Sequence, residues 1–294
     1  MRRRPGAALF VIALVLTSCS SSRSASRSSS PATATTTTTT TAPGEAPSSG
    51  CRRAGASGPP SPLVLAFHGY GSDGREFARL TKLPDSGAKR GVVVLTPSGP
   101  NHTWQLSGTG SDAAAIDRLV ASTEKARCID LHRVYAAGFS QGAAFAIFYT
   151  CARPDRIAAL ATVAVEFQLG CKRPVPMLAF HGTDDPAVPY ADGAIGASLP
   201  GVKVRGTLLN MSDWARLDRC GRKLPIATIR TEIVVSRWTR CAGGTEVQLY
   251  TVKGGSHTWP GASRAASPLY TTRQINATTL MLDFFARHRL AGAG

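Results

Sequence analysis

Gly138-Phe139-Ser140-Gln141-Gly142 is the stretch on which the reading of this chain turns. It follows an apolar run, Val134-Tyr135-Ala136-Ala137, and precedes a helix-like run from Ala143 to Tyr149. The Ser therefore stands where a buried strand turns sharply into a helix, the arrangement of a G-x-S-x-G nucleophile elbow. Glycines suit such a turn because they carry no Cβ, so the backbones on either side can close up. Ser140 Oγ is then held out at the top of the sheet. The N–H of Gln141 lies near the helix N-terminus, where a developing oxyanion is favoured.

Working outward, short apolar runs bounded by Gly or Pro occur at Pro62–Phe67, Val92–Leu95, Val134–Ala137, Ile157–Val165, Val175–Phe180 and Val247–Val252. Continuous runs of this kind suit strands buried on both faces. Helical patterns lie between and after them, at Ala113–Arg127 and Thr279–Leu290. Strands alternating with helices predict an α/β fold with a mostly parallel sheet flanked by helices.

A nucleophilic Ser needs a base within hydrogen-bond reach and a carboxylate to orient that base. Behind an elbow of this type the carboxylate comes next in the chain and the His last. His181, His257 and His288 follow Ser140. His181 has the acid candidates right beside it, so it cannot be the base that follows them. His288 sits between Arg287 and Arg289 and reads as part of a solvated face. His257 lies in a Gly-rich turn, Gly254-Gly255-Ser256-His257, after an apolar run, and is the candidate base. The acid falls in His181-Gly182-Thr183-Asp184-Asp185-Pro186, where spacing alone allows either Asp. A second oxyanion donor belongs on the loop after the first strand, His68-Gly69-Tyr70-Gly71, with the backbone N–H of Tyr70 as the candidate and His68 as a structural residue of that loop. Trp259 and Trp104 are candidates to line the substrate pocket.

The N-terminus reads differently. Arg2-Arg3-Arg4 and the apolar stretch from Ala7 to Leu16 form an export signal too short to span a bilayer, which takes about 20 residues. It ends in Leu16-Thr17-Ser18-Cys19, which resembles the lipobox of bacterial lipoproteins. That resemblance implies a signal peptide over residues 1–18 and an acylated Cys19 that anchors the chain to the outer face of the cell membrane. Residues 19–50, rich in Ser, Thr and Pro, read as a disordered tether. Residues 51–294 form the folded domain. The formal charge of +16 includes five arginines before residue 51, and beyond it no basic run exceeds two residues. This scattered charge reads as a solvated surface, not as a nucleic-acid site. Cys51, Cys128, Cys151, Cys171, Cys220 and Cys241 make an even set in an exported chain, which predicts three disulfides. Of the fifteen possible pairings, position favours Cys220–Cys241 and Cys151–Cys171, leaving Cys51–Cys128. No Cys-x-x-Cys spacing points to a metal.

Together the loop His68–Gly71, the stretch Arg133–Gly142, the stretch His181–Tyr190 and Gly254–Gly261 resemble the secreted esterases of the polyhydroxybutyrate depolymerase and feruloyl/acetylxylan esterase group, most nearly the esterase lipoproteins of mycobacteria. The resemblance covers about residues 51–290 and implies a single α/β-hydrolase domain. It places the acid just before Pro186, at Asp185, and implies ester hydrolysis by Ser140, Asp185 and His257 with Tyr70 and Gln141 as oxyanion donors. It implies no cofactor and no obligate protein partner. Substrates would be small soluble or envelope-linked esters with short or aromatic acyl groups. Two other readings use the same residues or fold: an acyltransferase to an envelope sugar or lipid, and a non-catalytic adhesion protein.

Overall fold

The computed structural model describes residues 59–168, 170–195, 203–263 and 269–291. The expected signal and tether, with Cys19, and the start of the domain, with Cys51, lie outside the described residues. The chain runs β1 (Ser61–Phe67), α1 (Gly74–Thr81), α2 (Leu83–Ala88), β2 (Val93–Leu95), α3 (Ser111–Ala126), β3 (Ile129–Phe139), α4 (Gln141–Ala152), β4 (Ala159–Val163) and β5 (Met177–Gly182). It continues through β6 (Gly193–Ala194), β7 (Lys203–Val204), α5 (Thr207–Leu217), β8 (Arg222–Lys223), β9 (Ala227–Arg230), β10 (Ile233–Thr239), β11 (Val247–Val252) and α6 (Ala277–Ala286). The main sheet has the order β2-β1-β3-β4-β5-β11-β10-β8, with β9 paired to β10. It is parallel from β2 to β11, and β10, with β8 and β9 paired to it, extends that edge antiparallel. This is the mostly parallel α/β architecture that the alternating pattern predicts.

Alternation along the strands splits the core into two layers. In β1, Leu63, Leu65 and Phe67 pack with α3, α4 and α5, whereas Val64 and Ala66 pack with α1, α2 and α6. Both faces are covered, so the strand reads as one apolar run. Helix α4 is apolar nearly all round, with Gly142 through Ile147 buried, as a helix pressed into a sheet must be. Surface helix α1 shows the opposite pattern. It is capped by the Asp73 carboxylate accepting from Glu76 N–H at 2.8 Å and buries chiefly Phe77. Burying a side chain such as Phe67 or Phe145 contributes on the order of 1.5–3 kcal/mol.

Several elements were not legible in advance. Helices α1, α2 and α5 and strand β10 lay in segments without clear periodicity. Helix α6 ends at Ala286, short of Leu290. His288 is buried, not solvated: its Nε2 meets Glu246 Oε1 at 3.1 Å, and its carbonyl accepts from Tyr135 Oη at 2.7 Å. The disulfides Cys151–Cys171 and Cys220–Cys241 form as expected.

Beside the second disulfide, Asp218 is wholly buried. Its Oδ1 accepts from Val175 N–H at 2.9 Å, and its Oδ2 has no hydrogen-bond partner among the described residues. Burial pushes its pKa up to about 6. A carboxyl raised in the folded state favours folding while protonated, and that contribution is lost as pH climbs through about 6. Asp218→Asn is therefore expected to remove this slope. In thermal melts, its stability relative to wild type should improve by roughly 2 kcal/mol between about pH 4 and pH 8.

Candidate active site

The site assembles at the carboxyl ends of β1, β3, β5 and β11. Ser140 follows β3 and caps α4 with φ 54° and ψ −123°, a backbone that costs a non-Gly residue on the order of 1–3 kcal/mol. Its N–H donates to Val163 O at 2.9 Å, and its carbonyl accepts from Ala143 and Ala144 N–H. The flanking glycines are required by space. A Cβ on Gly138 would stand 2.3 Å from Gly142 O, and one on Gly142 would stand 2.2 Å from Phe67 O.

His257 follows β11, and its Nδ1 meets Asp185 Oδ2 at 2.7 Å. The bond commits Nδ1 and leaves Nε2 for a substrate or nucleophile proton. The other Asp185 oxygen accepts from the N–H groups of Ala187 and Val188, both at 2.8 Å. Burial alone would raise the Asp185 pKa. Hydrogen bonds from His181 and His257 outweigh it and hold the carboxyl well below the usual carboxylate range. Asp184 points elsewhere: its Oδ1 accepts from its neighbour Thr183 Oγ1. The structure thus separates the two carboxylates that spacing left open.

Phe139 links nucleophile to base. Its ring lies 4.9 Å from the His257 imidazole, which brings the adjacent Ser140 to the same end of the sheet. Among the described residues the Ser140 hydroxyl makes no hydrogen bond to His257; such bonds commonly tighten only with substrate.

The two expected oxyanion donors, Tyr70 and Gln141, lie on segments that meet at this turn. Gly69 packs against Phe139 and Ser140, which sets the loop of Tyr70 beside the nucleophile. Among the described residues neither Tyr70 N–H nor Gln141 N–H donates to another group. The loop is held from behind. His68, wholly buried, donates from Nδ1 to Gly69 O and accepts Gly99 N–H at Nε2, 2.9 Å away. That pairing fixes a neutral ring, and burial lowers its pKa. Gly71 N–H bonds His102 O, and Trp104 N–H donates to Gln141 Oε1 at 3.1 Å.

Trp104 and Trp259 do not line a pocket. Trp104 is 3% exposed, stacks on Phe145 at 4.8 Å and donates its indole N–H to His68 O. Trp259 is 2% exposed, packs edge-on to Phe77 and bonds Thr278 Oγ1. Both turn inward to bury their large apolar rings, and each indole N–H finds a partner in the core. The aromatic side chain on the loop next to this turn, Tyr70, is 71% exposed instead. The buried pairing of Glu166 with His181, set aside in sequence as a base, also escaped the sequence reading. Their one advance signal is position, since each stands at or just beyond the carboxyl end of a parallel strand.

No family model matches the chain. Feruloyl esterase B of Piromyces equi is 26% identical over 214 residues, 67% of this chain and 39% of that protein. The NocK protein of Nocardia uniformis subsp. tsuyamanensis is 28% identical over 259 residues, 76% of this chain and 73% of its own length. The chain thus spans well under half of the first relative and about three quarters of the second. Among solved structures, the acetyl xylan esterase from Aspergillus awamori superposes with a TM-score of 0.56 at 15% identity, covering 77% of this chain and 89% of that one.

Gly142→Ala tests the elbow. The new methyl group must displace Phe67 O and His68 O, both backbone atoms. We expect a stability loss of about 1–3 kcal/mol in urea titrations. A cost below about 0.5 kcal/mol would contradict the close approach.

Proposed function

We propose that this chain, which has an α/β fold and is similar to feruloyl esterase B and to the acetylxylan esterases, is a serine esterase acting on short-chain or aromatic carboxylic esters through Ser140, His257 and Asp185. The observation that carries this reading is the 2.7 Å bond between His257 Nδ1 and Asp185 Oδ2, set at the end of the sheet where Ser140 is held in its strained turn. His257 Nε2 takes the Ser140 proton as Oγ attacks the ester carbonyl. Asp185 stabilises the imidazolium that forms and keeps Nε2 as the reactive nitrogen. Tyr70 and Gln141 N–H groups receive the oxyanion, each such donor being worth about 10²–10³ in rate. The imidazolium then protonates the leaving alcohol, and water repeats the sequence on the acyl-enzyme. The exposed ring of Tyr70 offers an apolar face to an acyl group at the mouth of the site.

The sequence supports the placement of this enzyme on the outer face of the cell membrane, held through acylated Cys19 behind the tether of residues 19–50. Its substrates on this reading are small soluble or envelope-linked esters.

Ser140→Ala is expected to abolish hydrolysis of p-nitrophenyl acetate, and turnover near wild type would refute the assignment. Asp185→Asn should lower kcat by about 10³–10⁴ while Asp184→Asn changes it less than about threefold. Equal losses in the two variants would remove Asp185 from its role. For the anchor, Cys19→Ser is expected to move the protein from the membrane fraction to the medium and to end incorporation of labelled palmitate. Unchanged fractionation would argue against acylation.

A further inference from the structure

Behind Asp185 lies a second buried charge cluster that the triad chemistry does not use. His181, at the end of β5, is 1% exposed, and Glu166, beyond β4, is 3% exposed. His181 Nδ1 lies 2.9 Å from Glu166 Oε2 and 2.9 Å from Thr207 Oγ1. Its Nε2 lies 3.0 Å from Val188 O and 3.5 Å from Asp185 Oδ2, the same oxygen that holds His257. Nδ1 faces a carboxylate and a hydroxyl, and Nε2 faces a carbonyl and a carboxylate. A neutral imidazole carries a single N–H and would leave a buried lone pair against one of these oxygens. With a carboxylate against each ring nitrogen, both nitrogens donate, and the Thr207 hydroxyl accepts beside Glu166.

The remaining neighbours are neutral. Thr207 and Asn210 come from α5, and Asn210 Nδ2 reaches Glu166 Oε1 at 3.4 Å. Tyr190 sets its ring edge-on at 5.6 Å and spends its hydroxyl on Thr251. Glu166 is held further by Trp214, whose indole N–H donates to its carbonyl at 2.8 Å. The charged groups around the ring are thus Glu166 on one side and Asp185, with His257 beyond it, on the other.

We propose that His181 is a positioning residue: a permanently protonated imidazolium, clamped by Glu166, that fixes the Asp185–Val188 loop and tempers the hold of Asp185 on His257. The proposal rests on the serine esterase reading. Its sense follows from charge. Burial works against a proton on His181, and the neighbouring Glu166 carboxylate and the bonds to Asp185 and Glu166 override it, so its pKa is raised. A fixed positive charge beside Asp185 offsets part of the negative field felt by His257. Asp185 then pulls less strongly on an imidazolium formed at His257 than a lone buried carboxylate would. The contact with Val188 O also pins the turn whose N–H groups hold the other oxygen of Asp185.

The test compares wild type with His181→Gln, which keeps a donor of similar reach without the charge. Labelling of Ser140 by a fluorophosphonate and kcat/KM for p-nitrophenyl acetate are measured across pH. The variant is expected to lose about tenfold or more in kcat/KM near neutrality, and the acid limb of its pH profile should move up by about 1 unit. Lower activity with an unshifted limb would mean that His181 only packs, and would overturn the proposal. Absence of labelling in wild type would overturn the esterase reading first, and this proposal with it. A measurement on the unaltered protein covers a variant that fails to fold. In a ¹⁵N-histidine spectrum of wild type, His181 should show both ring nitrogens protonated from about pH 5 to pH 8. A neutral ring at the upper end would refute the proposal.

Discussion

The active end of this molecule depends on one close approach. The N-terminus of α4 lies so near the ends of β1 and β3 that carbonyl oxygens of Phe67 and His68 occupy the space where a Gly142 side chain would begin. Gly138 meets the backbone of Gly142 in the same way. With the helix pressed onto the sheet, the connection between β3 and α4 shrinks to a single residue, and Ser140 must adopt a left-handed backbone to make it. The outward setting of Ser140, the position of the Gln141 N–H and the seat of the Tyr70 loop all follow from that geometry. The strain at Ser140 is offset by its bond to Val163 and by the apolar burial of α4 along its length.

A second constraint is electrostatic. The protein carries a strong positive charge overall, yet the end of the sheet that bears the candidate site gathers Glu166 and Asp185 out of solvent. Buried carboxylates are costly unless paired and hydrogen-bonded. Here each is paired with a histidine, and the row Glu166, His181, Asp185, His257 alternates in sign when the base is protonated. Neutralisation is local, so the scattered surface charge has little part in it. The oxyanion loop relies on neutral hydrogen bonds instead. His68 is kept uncharged there, although it too is a wholly buried histidine. Two histidines at strand ends thus take opposite protonation states because one accepts a backbone N–H and the other has a carboxylate against each ring nitrogen.

What was legible beforehand was local. The elbow showed in five residues because glycine spacing and flanking apolar runs are local consequences of a strand–turn–helix path. The same holds for His257 in its Gly-rich turn and for the parallel strands, whose continuous apolar runs reflect burial on both faces. The two tryptophans were misread because nearness in sequence to a catalytic residue says nothing about the direction of a side chain. Trp259 stands two residues from His257 and points into the packing around Phe77. Strand β10 escaped because Ser236 and Arg237 interrupt its apolar run, and only its pairing with β11 makes the strand plain. The Glu166–His181 pair was invisible for a related reason: its members come from different strands and meet only when β4 and β5 pair.

The Cys151–Cys171 bond has a consequence beyond static support. Cys151 lies in the last turn of the helix that begins at Ser140, and Cys171 lies on the approach to the strand that leads into His181 and Asp185. A single covalent link therefore ties the element that presents the nucleophile to the element that delivers the acid. Neither can peel from the sheet while the other stays in place. Heating such a protein should leave the site intact until the whole sheet gives way, so that loss of turnover and loss of structure share one transition.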